Sequence, residues 1–387
     1  MKLIDHVNLL TEYGIVWDAC IAIDGERISY AGKRADFTGT ADEVIDGKGR
    51  YAAPGLIDIH CHGLGEKNFA EDPLYCAAQA LSHGTTTVLP TFVYTQTTEQ
   101  MVAAADVIRA NKDKGVGRVL AYGAYMECPY MRRSGGGISA LKWPNEVDPK
   151  DFTPLVDGMG DLPRIWAIDP ERKDIVVFMA YVKEKHPDAM FALGHSHASS
   201  DACKKVEKYG IRVQTHHTDS GQAPGRAQGT PGAGCDQYTL LHNDMYAELI
   251  VDETGVHVVP DMVKLAVSIK GPDKIILITD STSNRTDNKN NEEAGIWYGP
   301  DLNYDDIGYL SGSRMTLEHA CRNLMTHTAY GLCHAIQMAS ANPARLLGIY
   351  DEVGSLEAGK YANVILIDDK INVYETYLRG EKYISAE

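Results

Sequence analysis

PGLIDIHCHG (residues 54–63) sets a turn, an apolar run and two histidines in direct succession. Pro54-Gly55 is a turn signal, and Leu56, Ile57 and Ile59 are apolar enough for a buried strand. Residues i and i+2 of a strand share a face. His60 and His62 therefore present two imidazoles side by side, at a spacing that suits one metal ion. An isolated HxH pair reads more simply as hydrogen-bonded core or surface histidines. At the end of a buried strand the same pair reads as part of a ligand site that other segments must complete.

Downstream, apolar strands alternate with helix-like stretches such as MVAAADVIRANKDKG and SSDACKKVEKYG. The candidate strands are 56–62, 85–92, 118–127, 164–169, 190–197, 212–218, 247–258 and 274–281. Eight such βα units in about 300 residues predict a (β/α)8 TIM-like barrel. The two ends of the chain differ. VWDACIAIDGERISYAG alternates about Asp24-Gly25 as a hairpin does, and YANVILIDD and VYETYLRGEKYI near the C-terminus are also β-rich. The expected organisation is an α/β barrel domain over residues 53–352 and a small β-sandwich domain from residues 1–52 plus 353–387.

A barrel of this kind builds its site at the C-terminal ends of its strands. Seven of the 14 histidines fall at or near such ends (His60, His62, His195, His197, His216, His217 and His257), a preference that scattered core histidines would not show. Glu127 and Asp280 end the third and eighth candidate strands, where a lone carboxylate is costly to bury. Imidazoles from three strands and two carboxylates make a ligand set for zinc or another divalent transition ion. Taken singly, each has a plain alternative. Glu127 could face solvent, Asp280 could cap the next segment, and His195 or His216 could cap or pack. His217 lies on the face opposite His216 if the strand is regular there, and so packs or bonds locally. His197 shares the face of His195, one layer behind the ligands.

Composition narrows the partners. A formal charge of −16 argues against nucleic acid or an anionic membrane as partner. The eight cysteines are scattered without a CxxC pair, which suits reduced thiols in a cytosol. Charges interrupt MKLIDHVNLLTEYG before a signal-peptide core forms, and no apolar run reaches membrane-spanning length. A cytoplasmic homodimer acting on a small molecule is expected.

With PGLIDIHCHG, YMECP, LGHSHA, THHTDS, TGVH, ITDST, LSGSRMTLEHACRNL and ASANPARLLGIYDEVGSLEAGKYANVILID together, the chain resembles the amidohydrolase superfamily along nearly its whole length. Within it, the N-acetylglucosamine-6-phosphate deacetylases are the most similar group. RIWAID offers no lysine of the kind that bridges two metals in many relatives, and Glu127 stands at the end of the third strand as in the deacetylases. The resemblance implies that Glu127, His195 and His216 hold a catalytic metal, and that His60 and His62 add a second site. It makes Asp280 the general acid/base and His257 a substrate contact. Sugar-phosphate contacts fall on Asp219, Ser220, Arg226 and the turn Leu310-Ser311-Gly312. One or two divalent ions are implied, zinc first, with iron, manganese or cobalt as alternatives.

The chain departs from the pattern in places. Asp219-Ser220 stands where the family has Asn-Ala, and an acid there repels a phosphate. The family's histidine about a dozen residues after the glutamate is replaced within 134–139, and Arg226 matches with a one-residue shift. Metal-dependent deacetylation of an N-acetyl amino sugar phosphate is the expected activity. The alternatives are hydrolysis of another N-acyl or cyclic amide, and a barrel that serves as a non-catalytic scaffold.

Overall fold

The computed structural model describes residues 1–93, 95–132, 146–219, 221, 223–226, 228–283, 299–304 and 310–383. Eight parallel strands form the barrel: β1 Leu56–Cys61, β2 Thr85–Val93, β3 Ala124–Glu127, β4 Pro163–Ile168, β5 Met190–Leu193, β6 Ile211–Gln214, β7 Tyr246–Ile250 and β8 Ile275–Ile278. A helix follows each one: α1 Pro73–Ser82, α2 Thr98–Asn111, α3 Pro149–Met159, α4 Ile175–Lys185, α5 Ser200–Val206, α6 Cys235–Leu241, α7 Pro260–Lys270 and α8 Leu317–His327. Adjacent strands pair in sequence order from β1 to β8.

The ring is drawn together between β8 and β1 just beyond the strand ends. Asp280 N donates to His60 O at 2.9 Å, and His62 N donates to Ser281 O at 2.8 Å. Below them the Thr279 hydroxyl donates to Asp58 Oδ2 at 2.6 Å.

Period-2 alternation explains β1. Ile57, Ile59 and Cys61 join the large core that contains Cys76, Ala77, Ala80 and Leu81 of α1. Asp58 and His60 take the opposite, inward face and are equally buried. Sequence-encoded caps start the helices. Asp72 accepts from Tyr75 N ahead of Pro73, and Thr97 and Gln100 form a capping box. The rings of Trp166, Phe178, Tyr130 and Phe152 pack edge-on between strand and helix layers, with centroids 5.2–6.3 Å apart.

The chain ends meet in one eight-stranded sheet that contains Lys2–Thr11, Gly14–Asp24, Arg27–Lys33, Glu43–Asp46 and Tyr51–Pro54 with Val364–Ile367, Val373–Leu378 and Glu381–Tyr383. The hairpin about Asp24-Gly25 is present, with Asp24 paired to Arg27. Tyr51–Pro54 pairs antiparallel with Val364–Ile367 and leads directly into β1. Among the described residues no helix is long and apolar enough to cross a membrane.

Several expected strands are shorter in the structure. Residues 115–120 form a 3-10 helix rather than the start of β3; Gly115 sits at φ +47 and turns the chain there. GHSH and THHT leave the sheet after Leu193 and Gln214, because His195 (φ 41) and His216 (φ 27) take left-handed backbone. TGVHV is not strand either. The Asp252 carboxylate accepts from the backbone N–H groups of Thr254, Val256 and His257 and folds the segment into a turn. Conversely, Leu310-Ser311-Gly312 is not a turn but part of a strand, Leu310–Ser313, paired antiparallel with Leu302–Tyr304.

Candidate active site

Five strand ends deliver one cluster. Glu127, the last residue of β3, lies between four histidines. Its Oε1 is 3.0 Å from His195 Nε2 and 3.0 Å from His216 Nε2. Its Oε2 is 3.1 Å from His62 Nε2 and 3.7 Å from His60 Nε2. Asp280 approaches from beyond β8, with Oδ1 3.0 Å from His62 Nε2 and 3.6 Å from His60 Nε2. All six side chains are buried. His195, His216 and Asp280 each hold a positive φ, a conformation that non-glycine residues keep only where surrounding structure enforces it. Here the strand ends and the closing hydrogen bonds supply that enforcement.

Residues not anticipated from the sequence orient the clustered histidines. Glu248 on β7 is fully buried; its Oε2 lies 3.2 Å from His60 Nδ1 and accepts from His216 N at 3.3 Å. With Nδ1 turned to a carboxylate, His60 directs Nε2 into the cluster, where that nitrogen has no hydrogen-bond partner. His62 Nδ1 is 3.1 Å from the Thr91 carbonyl, which likewise leaves Nε2 facing inward. The available signal was a single acid in the apolar run YAELI, with Asp58 in LIDIH a parallel case.

The electrostatics follow from this packing. Burial works against charge on Glu127, but the four histidines outweigh it and hold its carboxyl well below the usual range. Burial likewise opposes charge on His60, and Glu127 and Glu248 raise its pKa well above the ordinary value. His62 is carried up to about 9 by Asp280 and Glu127, again against burial. Asp280 is also buried, yet His62 outweighs that and keeps it below the ordinary carboxylate value. Asp58, whose burial dominates, rises to about 7.

The other expected residues divide. His257 is buried beside the cluster; its Nδ1 is ion-paired with Asp252 Oδ2 at 3.3 Å, and its Nε2 is buried without a partner. Asp219 borders the cluster, with Oδ2 3.7 Å from His216 Nδ1. Arg226 is exposed beside the Gly225–Pro231 bridge and makes no side-chain hydrogen bond or ion pair among the described residues. Ser220, and the 134–139 stretch that lacks the family's histidine, lie outside the described residues. Gly312, at φ +66, passes so close to the Asp280 carbonyl that a Cβ there would clash with it, and Ser313 N donates to the same carbonyl at 2.8 Å. His217 bonds locally, its Nδ1 2.7 Å from Gln214 Oε1. His197 is half-buried outside the cluster.

Two triads, His60–His62–Asp280 and His60–Glu127–His216, each bring ligand atoms within 4.8 Å of one another. Convergent imidazole Nε2 atoms, an orphaned buried nitrogen on His60 and two carboxylates fit a divalent ion. The set is nitrogen- and oxygen-rich and contains no thiolate, and several of its imidazoles are fixed by second partners.

Comparison with known proteins agrees with this architecture. The sequence model of the amidohydrolase family matches residues 51–382. The N-acetylglucosamine-6-phosphate deacetylase of Haemophilus influenzae is 28% identical over 387 residues, covering 96% of this chain and 97% of that protein. The N-acetylgalactosamine-6-phosphate deacetylase of Escherichia coli O157:H7 is 27% identical over 366 residues, covering 87% of this chain and 89% of its own. Among solved structures, N-acetylglucosamine-6-phosphate deacetylase from Pasteurella multocida superposes with a TM-score of 0.83 at 24% identity, covering 99% of both chains. A Mycobacterium smegmatis deacetylase mutant in complex with N-acetyl-D-glucosamine-6-phosphate gives 0.80 at 22% identity, again over 99% of each. A family match across most of the chain, on a barrel whose strand ends gather histidines and acids, leads to one conclusion: the chain belongs to the amidohydrolase family.

Proposed function

We propose that this chain is a metal-dependent deacetylase of N-acetylglucosamine-6-phosphate, releasing glucosamine-6-phosphate and acetate. The observation that carries the reading is the convergence of His60, His62, His195 and His216 on Glu127, with Asp280 at 3.0 Å from His62. Relatives named for this reaction match over nearly their full length, which supports the substrate class.

Glu127, His195 and His216 would hold the catalytic ion, and His60 and His62 would hold a second where two are bound; zinc suits this donor set best, with iron, manganese and cobalt as alternatives. When bound, such an ion supplies Lewis acidity, bringing the pKa of water from about 16 toward about 7 and polarising an amide carbonyl. The chain's own residues do the rest. Asp280, ionised and set beside His62, takes a proton from the attacking water. It returns that proton to the amine nitrogen as the carbon–nitrogen bond breaks, so one carboxylate serves in turn as base and acid. His257, with a buried and unpartnered Nε2, is available to hydrogen-bond a sugar hydroxyl or the acyl oxygen. Asp219, Ser220, Arg226 and the strand residues Leu310, Ser311 and Gly312 complete the proposed substrate contacts.

A second reading keeps the chemistry and changes the substrate. Asp219 borders the ligands while Arg226 is exposed, an arrangement that favours an unphosphorylated N-acyl amide over an anion. Acetate release from N-acetylglucosamine and N-acetylgalactosamine, each with and without a 6-phosphate, separates the readings. Strong preference for the phosphorylated glucosamine derivative supports the first. Equal turnover of the free sugar would remove phosphate recognition from the account and leave amide hydrolysis.

We further infer a division into a small β domain (residues 1–52 plus 353–387) and a catalytic barrel (residues 53–352), a homodimeric assembly, and a cytoplasmic location. The eight unpaired cysteines support the last.

A further inference from the structure

Apart from the barrel-mouth cluster, a third group of ligating side chains meets where the segment after β7, residue 301 and the first turn of α8 come together. Glu253, Asp301 and His319 each place one ligand atom within 4.8 Å of the others. Asp301 is 3% exposed; its Oδ2 accepts from Glu253 N at 2.6 Å, and its Oδ1 is buried with no partner. A carboxylate oxygen hidden from water and without a donor is an expensive arrangement unless something fills the gap. His319 does not fill it directly. No nitrogen of its ring comes within the 4.0 Å of an ion pair to Asp301 or Glu253, and it makes no side-chain hydrogen bond among the described residues.

We propose that Glu253, Asp301 and His319 form a second cation site, distinct from the barrel-mouth cluster and suited to a divalent transition ion such as zinc or manganese. Two carboxylates and an imidazole make a mixed oxygen and nitrogen set for such ions. Bonds of about 2.0–2.2 Å from an ion place its ligands roughly 3.3–4.4 Å apart. The three ligand atoms, within 4.8 Å of one another, stand just outside or within that range, and the exposed Glu253 and half-buried His319 side chains have room to move onto an ion. The location gives the site a structural task. Glu253 follows Asp252, whose carboxylate caps the backbone N–H of His257. Asp301 leads into the strand pair whose Ser313 N bonds the Asp280 carbonyl. A cation held here fastens the segments flanking two residues of the candidate active site.

The test is a zinc titration of the full chain, with bound metal counted after desalting, on wild type, Glu253→Gln and His319→Ala. Wild type should hold one more ion per chain than His319→Ala, and Glu253→Gln should bind that ion at least tenfold more weakly. Zinc added beyond the barrel-mouth equivalents should raise Tm in wild type and not in His319→Ala. Glu253 is exposed, so its glutamine variant keeps the fold and decides the matter if the histidine variant does not. Equal stoichiometry and affinity in all three proteins would overturn the assignment. So would loss of turnover by Glu253→Gln in excess zinc together with loss of an ion, since the missing ion would then be the catalytic one.

Discussion

Replacing Glu248 with glutamine removes one charge from the ring of groups behind the ligands while preserving shape. The wild-type carboxylate is fully buried, 3.2 Å from His60 Nδ1 and 3.3 Å from His216 N, so it sets the ring orientation of one ligand and the backbone position of another. An amide oxygen in its place still accepts one hydrogen bond, but the imidazole loses the anion that makes it a better donor to metal. Loss of such an outer partner costs roughly 10–100-fold in metal affinity or activity, or about 1.4–2.8 kcal/mol. Metal-free Glu248→Gln should be less stable than wild type, because Glu248 raises the pKa of the buried His60 and its loss leaves that imidazole without a carboxylate partner. Glu248→Ala should be worse on both counts, since it leaves a cavity and strands His60 Nδ1, adding about 1–3 kcal/mol for the unsatisfied group. Competition with a chromophoric chelator measures the affinities, and thermal denaturation of the metal-free proteins measures stability. Glu248→Gln binding metal within twofold of wild type would refute the orienting role.

Three further outcomes are expected. Asp280→Asn retains size and hydrogen bonding but cannot carry the proton, so turnover should fall by about 10²–10⁴ with metal content unchanged; turnover within a few-fold of wild type would assign the base elsewhere. Arg226→Ala should raise KM for the 6-phosphate substrate and leave the free sugar unaffected, if the exposed guanidinium folds onto the phosphate as a charge-assisted clamp; unchanged KM for both would remove Arg226 from the site. His83, whose Nδ1 lies 3.1 Å from Glu318 Oε1, should titrate above the ordinary imidazole value because of that carboxylate. Its contribution to stability is thus complete below pH 6.5 and lost as pH rises through the folded pKa, and NMR titration should show the shift vanish in Glu318→Gln.

The barrel was legible because its signals are local. Apolar runs such as TTTVLPTF and KIILI, and caps such as Asp72-Pro73 and Thr97 with Gln100, declare strands and helix starts without reference to distant residues. The histidines and acids of the cluster were legible as polar groups stranded beyond apolar runs. What escaped depends on backbone conformation and on partners far along the chain. GHSH and THHT continue the strand pattern, and only the left-handed φ of His195 and His216 ends it; that conformation is imposed by the fold, not preferred by histidine. Leu310-Ser311-Gly312 has turn composition, yet Leu302–Tyr304 recruits it into a strand and the Asp280 carbonyl leaves room only for glycine at 312. Glu248 is a single acid in the apolar run YAELI, and nothing in its neighbours along the chain marks it. Its function exists only because His60, 188 residues earlier, faces it across the barrel.

The central claim, that the histidine–carboxylate cluster is a metal-dependent amide-hydrolysing centre, is tested most directly by acetate release from N-acetylglucosamine-6-phosphate before and after metal removal. Chelator-stripped and desalted protein should release no acetate above background, and activity should return in proportion to zinc added back, reaching its maximum at one or two equivalents in the barrel mouth. Full acetate release by protein shown to be metal-free would contradict the claim.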